Sequence, residues 1–311
     1  MNNNALPSLT PEIFRFADVD EFRSSVRNLN VDFVPLARNV SVEQTILKLP
    51  GCDVNFTKSF PRIYDAQLGP DCTAVGFSMD DGVPVRLNGV EQDHSMIVIG
   101  GGGAFLTTVE RTPRQYASII FKPEIVYRGW PQTGMGFKVF QTSLSAQHSL
   151  RELVLKILSV SSQPVEPIEA NVIAAGMRES LLGAVDFAFA NVVPAHWTNR
   201  ANSTRKLKIF LDVQAALAGH EADPIYSGEL ARKVGVPVRT MHDAILRYRR
   251  MSLHRYLRLR RLWLVRKSLL AGTHSVKASA LAFGFWHMGD FSRSYRLQFG
   301  ETPSETLAKS R

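Results

Sequence analysis

The chain has 311 residues, 45% of them hydrophobic and 21% charged, with a formal net charge of +9. That length supports two domains with cores of their own, and no apolar run is long enough to predict a membrane-spanning helix. The two cysteines, Cys52 and Cys72, belong to no paired or metal-binding pattern, and MNNNALPSLT lacks a signal-peptide profile. A reduced, cytoplasmic setting is the expectation.

The positive charge is concentrated at one end. Residues 1–200 hold 17 Lys and Arg against 20 Asp and Glu, whereas residues 201–311 hold 20 against 8, with 14 of those cations arginine. A polyanion is therefore the expected partner of the last third alone.

From about residue 30 to 145 the chain reads as β-rich. Apolar runs TILKL, TAVGFSM, VPVRL, SMIVIG and ASIIF alternate with turn signals LPGCD, LGPDC, DDG, LNG and GGGG. Many short strands without a 3.6-residue period predict a small barrel or sandwich. The glycines at 100–103 lack the strand-turn-helix context and the lysine of a phosphate-binding loop, so they read as a flexible hairpin loop. Asp80-Asp81-Gly82 reads as a turn. His94 is the single histidine of the stretch, too few for a His/Glu metal site on adjacent strands. No metal, cofactor or catalytic set is expected, because the eight histidines are scattered and offer no nucleophile–base pairing.

Two amphipathic helices follow, predicted over 148–160 and 171–190. SSQPVEP separates them, and PAHWTNRANST follows as a second linker. From residue 203 everything reads helical. Ser203 or Thr204 is placed to cap RKLKIFLDVQAALAG. Next come SGELARKV, a break at GVP, VRTMHDAILRYRR, the long SLHRYLRLRRLWLVRKSLLAG, VKASALAF, a break at GFW, and a final arginine-rich aromatic helix.

The helical third contains an internal repeat. Ala231 and Gly235 match Ala280 and Gly284; Met241 and Ile245 match Phe291 and Tyr295; Ser252-Leu253 matches Thr302-Pro303, with one insertion in the turn. A small residue at a helix crossing, a glycine at a tight turn and a second helix define a helix-turn-helix, here present twice. The second helix of each copy buries one stripe, with Phe299 extending that of the second copy. Its opposite face is free to enter a DNA major groove. Arg239, Thr240, His242, Asp243 and Arg247 are the candidate DNA contacts of the first copy. Met288, Gly289, Ser292, Arg293 and Arg296 are those of the second. The joining helix 252–270 spans about 28 Å at 1.5 Å per residue, near the roughly 34 Å of one DNA turn. Tyr256, Leu257, Leu262, Trp263 and Leu270 are predicted to pack against both lobes, and Arg258 and Arg261 to reach phosphate.

ELARKVGVPVRTMHDAI, SLHRYLRLRRL and ALAFGFWHMGDFSRSYRLQFGETPSETL stand in the order and spacing of the AraC/XylS family of bacterial transcription regulators. The region 203–311 resembles that family's DNA-binding domain. The resemblance implies a seven-helix domain on double-stranded promoter DNA, acting as one arm of a homodimer, with RNA polymerase contact. It also implies a cupin-like effector domain ahead of it. The expected organisation is thus α+β: a β-rich, cupin-like barrel over 1–147 binding a small molecule, a helical dimerisation segment and linker over 148–200, and the DNA-binding domain over 201–311. The alternative is a regulator without effector, whose N-terminal domain only dimerises or binds another protein. Three positions depart from the family pattern. Arg250 replaces a glycine, so that turn is expected to be built differently. Gly289 offers no side chain, and Asp243 only accepts hydrogen bonds. Readout is then expected to rest on Arg239, Arg293 and His242.

Overall fold

The computed structural model describes residues 9–81, 85–92, 95–122, 128–163, 167–190, 192–194, 200–218, 224–272 and 274–310. His94, Gly82 and parts of both predicted linkers lie outside them. The chain forms two compact units, Met1–Phe33 with Asn39–His196, and Val34–Arg38 with Trp197–Arg311.

The first unit holds β1 (Glu12–Phe16), α1 (Val19–Ser25), β2 (Leu29–Pro35), β3 (Val42–Leu49), β4 (Cys52–Ser59), β5 (Arg62–Leu68), β6 (Thr73–Ser78), β7 (Val85–Leu87), β8 (Val90–Gln92), β9 (Met96–Gly100), β10 (Phe105–Glu110), β11 (Arg114–Phe121), β12 (Lys138–Gln141), α2 (Leu144–Ser161), α3 (Pro167–Ala190) and β13 (Val193–Pro194). The strands make one sheet in the order β1-β3-β4-β11-β6-β9-β12-β13 and another in the order β2-β5-β10-β7-β8. Among the described residues neither sheet closes on itself, and the expected cupin-like barrel is not seen; the strands make an open two-sheet sandwich. Edge chemistry supplies the reason. Glu12 and Arg15 of β1 are tied to Lys48 and Glu43 at 2.8 and 3.0 Å. The other ends are the two-residue β13, the three-residue β8, and β2, which carries Asp32 and stops at Pro35. Short or charged edges stop further pairing.

Alternation decides what each face of the larger sheet touches. Leu47, Val54, Val75, Ile97 and Ile119 point outward and are buried under Leu150, Val154 and Ile157 of α2 and Leu181 and Val185 of α3. Both helices start earlier than predicted. The Ser143 hydroxyl accepts from the Ala146 amide and so fixes the start of α2 at Leu144. The glycine run is not a flexible loop: a Cβ on Gly102 would sit 1.8 Å from the Pro70 carbonyl oxygen, and one on Gly100 2.4 Å from the Phe137 ring. Close approach, not mobility, requires glycine there.

The second unit holds α4 (Arg200–Ala218), α5 (Ser227–Val234), α6 (Val238–Arg249), α7 (Leu253–Leu270), α8 (Val276–Ala282), α9 (Met288–Phe299) and α10 (Pro303–Ala308). Because α4 begins at Arg200, Ser203 and Thr204 lie inside it rather than capping it. Met241, Ala244 and Ile245 are fully buried, as are Phe291 and Tyr295. Leu262, Val265 and Leu269 of α7 join Ala280, Phe285 and Phe299 in one cluster. Leu269 takes the place predicted for Leu270, which is 40% exposed, because three- and four-residue steps from Leu262 lead to 265 and 269.

Candidate nucleic-acid interface and interior cavity

The two helix-turn-helix units superpose in sequence almost residue for residue. Helices α6 and α9 start at Val238 and Met288 and end at Arg249 and Phe299. The preceding turns hinge on Gly235 and Gly284, with φ of 72° and 75°. The insertion between them is Trp286, which is 70% exposed. At the far end of α9, Gly300 takes φ 77°, and at the far end of α6 Arg250 takes the same left-handed turn with φ 53°. The departure noted at Arg250 therefore changes the residue and keeps the backbone. Ser252 and Thr302 cap the helices that follow, and Thr302 completes a capping box with Glu305.

The sequence-predicted contacts separate by exposure. Arg239, Asp243, Gly289, Ser292, Arg293 and Arg296 are exposed. Thr240, His242, Arg247 and Met288 are half-buried, with Met288 against the core cluster. Asp243 Oδ1 lies 3.8 Å from His242 Nδ1. Arg258 and Arg261 of α7 turn inward. Arg258 donates to Ser294 of α9 at 2.5 Å. Arg261 donates to the Gly284 carbonyl at 3.3 Å and lies against the rings of Tyr226 and Phe285. These two brace the second unit from within, while Arg255 and Lys267 of the same helix are exposed. Trp286 was not legible as an outward residue, because an aromatic beside a glycine turn reads as core.

The N-terminal unit contains a separate feature, a cavity of about 250 Å³ between its two sheets. Inward-facing positions of the larger sheet mix apolar residues, among them Ile46, Val98 and Ile120, with polar ones: Gln44 on β3, Asp53, Asn55 and Thr57 on β4, Arg114, Tyr116 and Ser118 on β11. Gln44, Thr57, Tyr116 and Ser78 stand in one row across four strands. The facing wall supplies Phe33, Tyr64, Leu87 and Leu106, with Phe22 from α1. Beside it Arg62 is fully buried, bonded through Nε to Glu110 at 3.1 Å and through Nη2 to the Tyr116 hydroxyl at 2.9 Å. Rings of Phe22, Phe33, Phe60, Tyr64 and Tyr116 surround its guanidinium. Burial pushes the Tyr64 hydroxyl pKa upward, which keeps that group neutral.

Residues 230–309 match the family model HTH_18, described as a helix-turn-helix domain. The probable thc operon regulatory protein of Rhodococcus erythropolis is 33% identical over 94 residues, 29% of this chain and 28% of that protein. XylDLEGF operon transcriptional activator 1 of Pseudomonas putida is 44% identical over 57 residues, 17% of each chain. By this domain the chain belongs to the AraC/XylS family. The alignments span less than a third of the length of these curated relatives. Among solved structures, a probable AraC family transcriptional regulator from Rhodopseudomonas palustris CGA009 is 32% identical, with 33% of this chain and 97% of that chain covered and a TM-score of 0.31. The AraC/XylS assignment rests on the sequence matches to the helical unit.

Proposed function

We propose that this AraC/XylS protein is a sequence-specific, DNA-binding transcription regulator in the cytoplasm whose N-terminal unit binds a small-molecule effector. The observation that carries the DNA-binding reading is the pairing of α6 and α9 in matched helix-turn-helix units, each with its buried stripe on one side and exposed arginine on the other. Placed in successive major grooves, α6 would read through Arg239 and α9 through Arg293, with Ser292 and Arg296 beside it. Arginine gives the bidentate contact to guanine. Arg255 and Lys267 would meet phosphate, a role from which Arg258 and Arg261 are withdrawn by their internal partners.

The cavity, with Gln44, Thr57, Arg114 and Tyr116 set among its apolar lining, favours effector control over the effector-free alternative, because a sealed sandwich core carries apolar residues on its inner faces. Effector binding would act by favouring one DNA-binding state over another, limited by its differential affinity for the two. Leu155, Val172 and Phe187, each at least half exposed on α2 and α3, support the reading of these helices as a homodimer surface. RNA polymerase contact is the expected route to activation.

Footprinting on a duplex selected by the protein from a random pool tests the reading. Two protected major-groove segments about one turn apart on one face are expected. Arg293→Ala should weaken specific binding by roughly 1–3 kcal/mol and relax preference at one position. Unchanged preference would remove α9 from the reading.

A further inference from the structure

Resting on the effector reading above, we propose that the cavity accepts a small organic carboxylate, with its anionic end on Arg114 and Thr108, a hydroxyl or other donor toward Gln44, and an apolar body against the ring-lined wall. Three cavity-lining side chains carry the assignment. Gln44, Thr108 and Arg114 are 7%, 4% and 6% exposed. Gln44 Oε1, Thr108 Oγ1 and Arg114 Nε have no hydrogen-bond partner among the described residues. Buried polar groups left unpaired are costly and rare in a settled fold, and three around one cavity, Gln44 and Arg114 from the larger sheet and Thr108 from the facing one, mark a place completed from outside.

Charge selects the class of ligand. Arg114 makes no ion pair among the described residues. The nearby cavity carboxylate, Glu110, is already engaged by Arg62 Nε at 3.1 Å and by the Ser59 hydroxyl at 3.1 Å. Lys48 at the exposed edge is paired with Glu12, and Asp53 is held by Asn28 at 3.3 Å. Asp53 is only half-buried and Arg27 is exposed, so among the buried lining residues described the positive charge of Arg114 is the one left over. A cation would be repelled by it, and a neutral polyol would satisfy Gln44 and Thr108 but not Arg114. An inorganic anion would leave the space beside Phe22, Phe33, Tyr64 and Leu106 empty. A carboxylate with an apolar body meets all three demands, since the guanidinium matches carboxylate geometry. The cavity lies below the ~300–1,000 Å³ typical of drug-sized pockets, so the molecule is small.

The test measures binding of probe pairs to the full chain by calorimetry: 4-hydroxyphenylacetate against 4-hydroxyphenylacetamide, and hexanoate against hexanamide. The expected result is at least about tenfold tighter binding of a carboxylate than of its amide, as a charge-assisted pair is stronger than a neutral one. Arg114→Gln should erase that ratio and Arg114→Lys should keep part of it. If Arg114→Gln does not fold, Thr108→Val should still weaken the carboxylate several-fold. Equal binding of acid and amide, no binding of either carboxylate, or an unchanged ratio in Arg114→Gln overturns the assignment. DNA affinity is measured alongside by fluorescence anisotropy. A carboxylate that binds through Arg114 without changing DNA affinity supports the anion site and defeats the effector reading. Neutral molecules that alone bind and alter DNA affinity do the reverse.

Discussion

Gly235 and Gly284 occupy the same point of the two helix-turn-helix units, and replacing each by alanine separates backbone strain from crowding. A Cβ at Gly235 meets nothing within 4 Å. Gly235→Ala therefore carries only the left-handed strain of an L-residue, about 1–2 kcal/mol. The loss of freedom in the unfolded chain offsets roughly 0.4–1 kcal/mol of it. A net cost of about 1 kcal/mol is expected from those two effects. At Gly284 the same atom lies 2.6 Å from Tyr226 Oη, 3.1 Å from Arg261 Nη1 and 3.3 Å from Pro224 Cβ. The Tyr226 hydroxyl must give way, and Arg261 beside it must yield as well, at the expense of its hydrogen bond to the Gly284 carbonyl and its seat against two rings. One hydrogen bond of about 1 kcal/mol and a cation–π contact of roughly 0.5–1 kcal/mol bring Gly284→Ala to about 2–3 kcal/mol. Hydrogen exchange of the α8 and α9 amides in increasing urea reads the loss in the helical unit itself, where a whole-chain melt would mix two units. Equal losses at the two glycines, or less than about 0.5 kcal/mol at Gly284, would refute the crowding account.

Glu301 gives a pH signature. Burial alone would raise its pKa, but hydrogen bonds from Lys309, Thr306 and Arg266 outweigh that and bring it to about 2. A depressed folded-state value means that the stabilisation is complete above about pH 4.5 and is lost as pH falls toward 2. Glu301→Gln should remove about 2 kcal/mol at neutral pH and flatten the stability curve between those values, as read by thermal unfolding across pH. In the N-terminal unit, Glu110→Ala would leave the fully buried Arg62 without its counter-charge and should cost about 3–5 kcal/mol in urea unfolding. Arg250→Gly should relieve left-handed strain and be neutral to stabilising by up to about 1 kcal/mol. A loss larger than about 1 kcal/mol would show that the Arg250 side-chain contacts outweigh the strain.

The helical unit was legible because its determinants are local. Helix starts at Ser227, Val238 and Val276, the glycine turns and the duplicated spacing all follow from neighbours within a few positions. What stayed hidden there was the choice among arginines. Arg255, Arg258 and Arg261 look alike in a cationic helix, and only the packing of α9 and the Gly284 turn against α7 draws Arg258 and Arg261 inward. The sandwich is legible only in outline. CDVNFTKS alternates as an ordinary half-solvated strand would, and nothing local tells that its polar face looks inward while Cys52 and Val54 lie under helices. RIYDAQL reads as too charged for an interior strand, yet Arg62 is fully buried because Glu110, distant in sequence, faces it. Barrel closure likewise depends on edges that a pattern of short strands does not specify.

Positions 249 and 299 close their respective recognition helices at equivalent points. Arg249 lies between the rings of Phe210 and Tyr256, 4.5 and 5.1 Å from their centroids. Phe299 is itself the ring, with Trp263 edge-on at 4.8 Å and the Arg266 guanidinium over its face. The two halves thus hold their readers in sockets of opposite polarity. A recognition helix transplanted from one half to the other would bring a guanidinium to a seat made for a ring, or a ring to a seat made for a guanidinium. An exchange of readers between the halves therefore requires the seat to be rebuilt with them, whereas a change on the outward face does not.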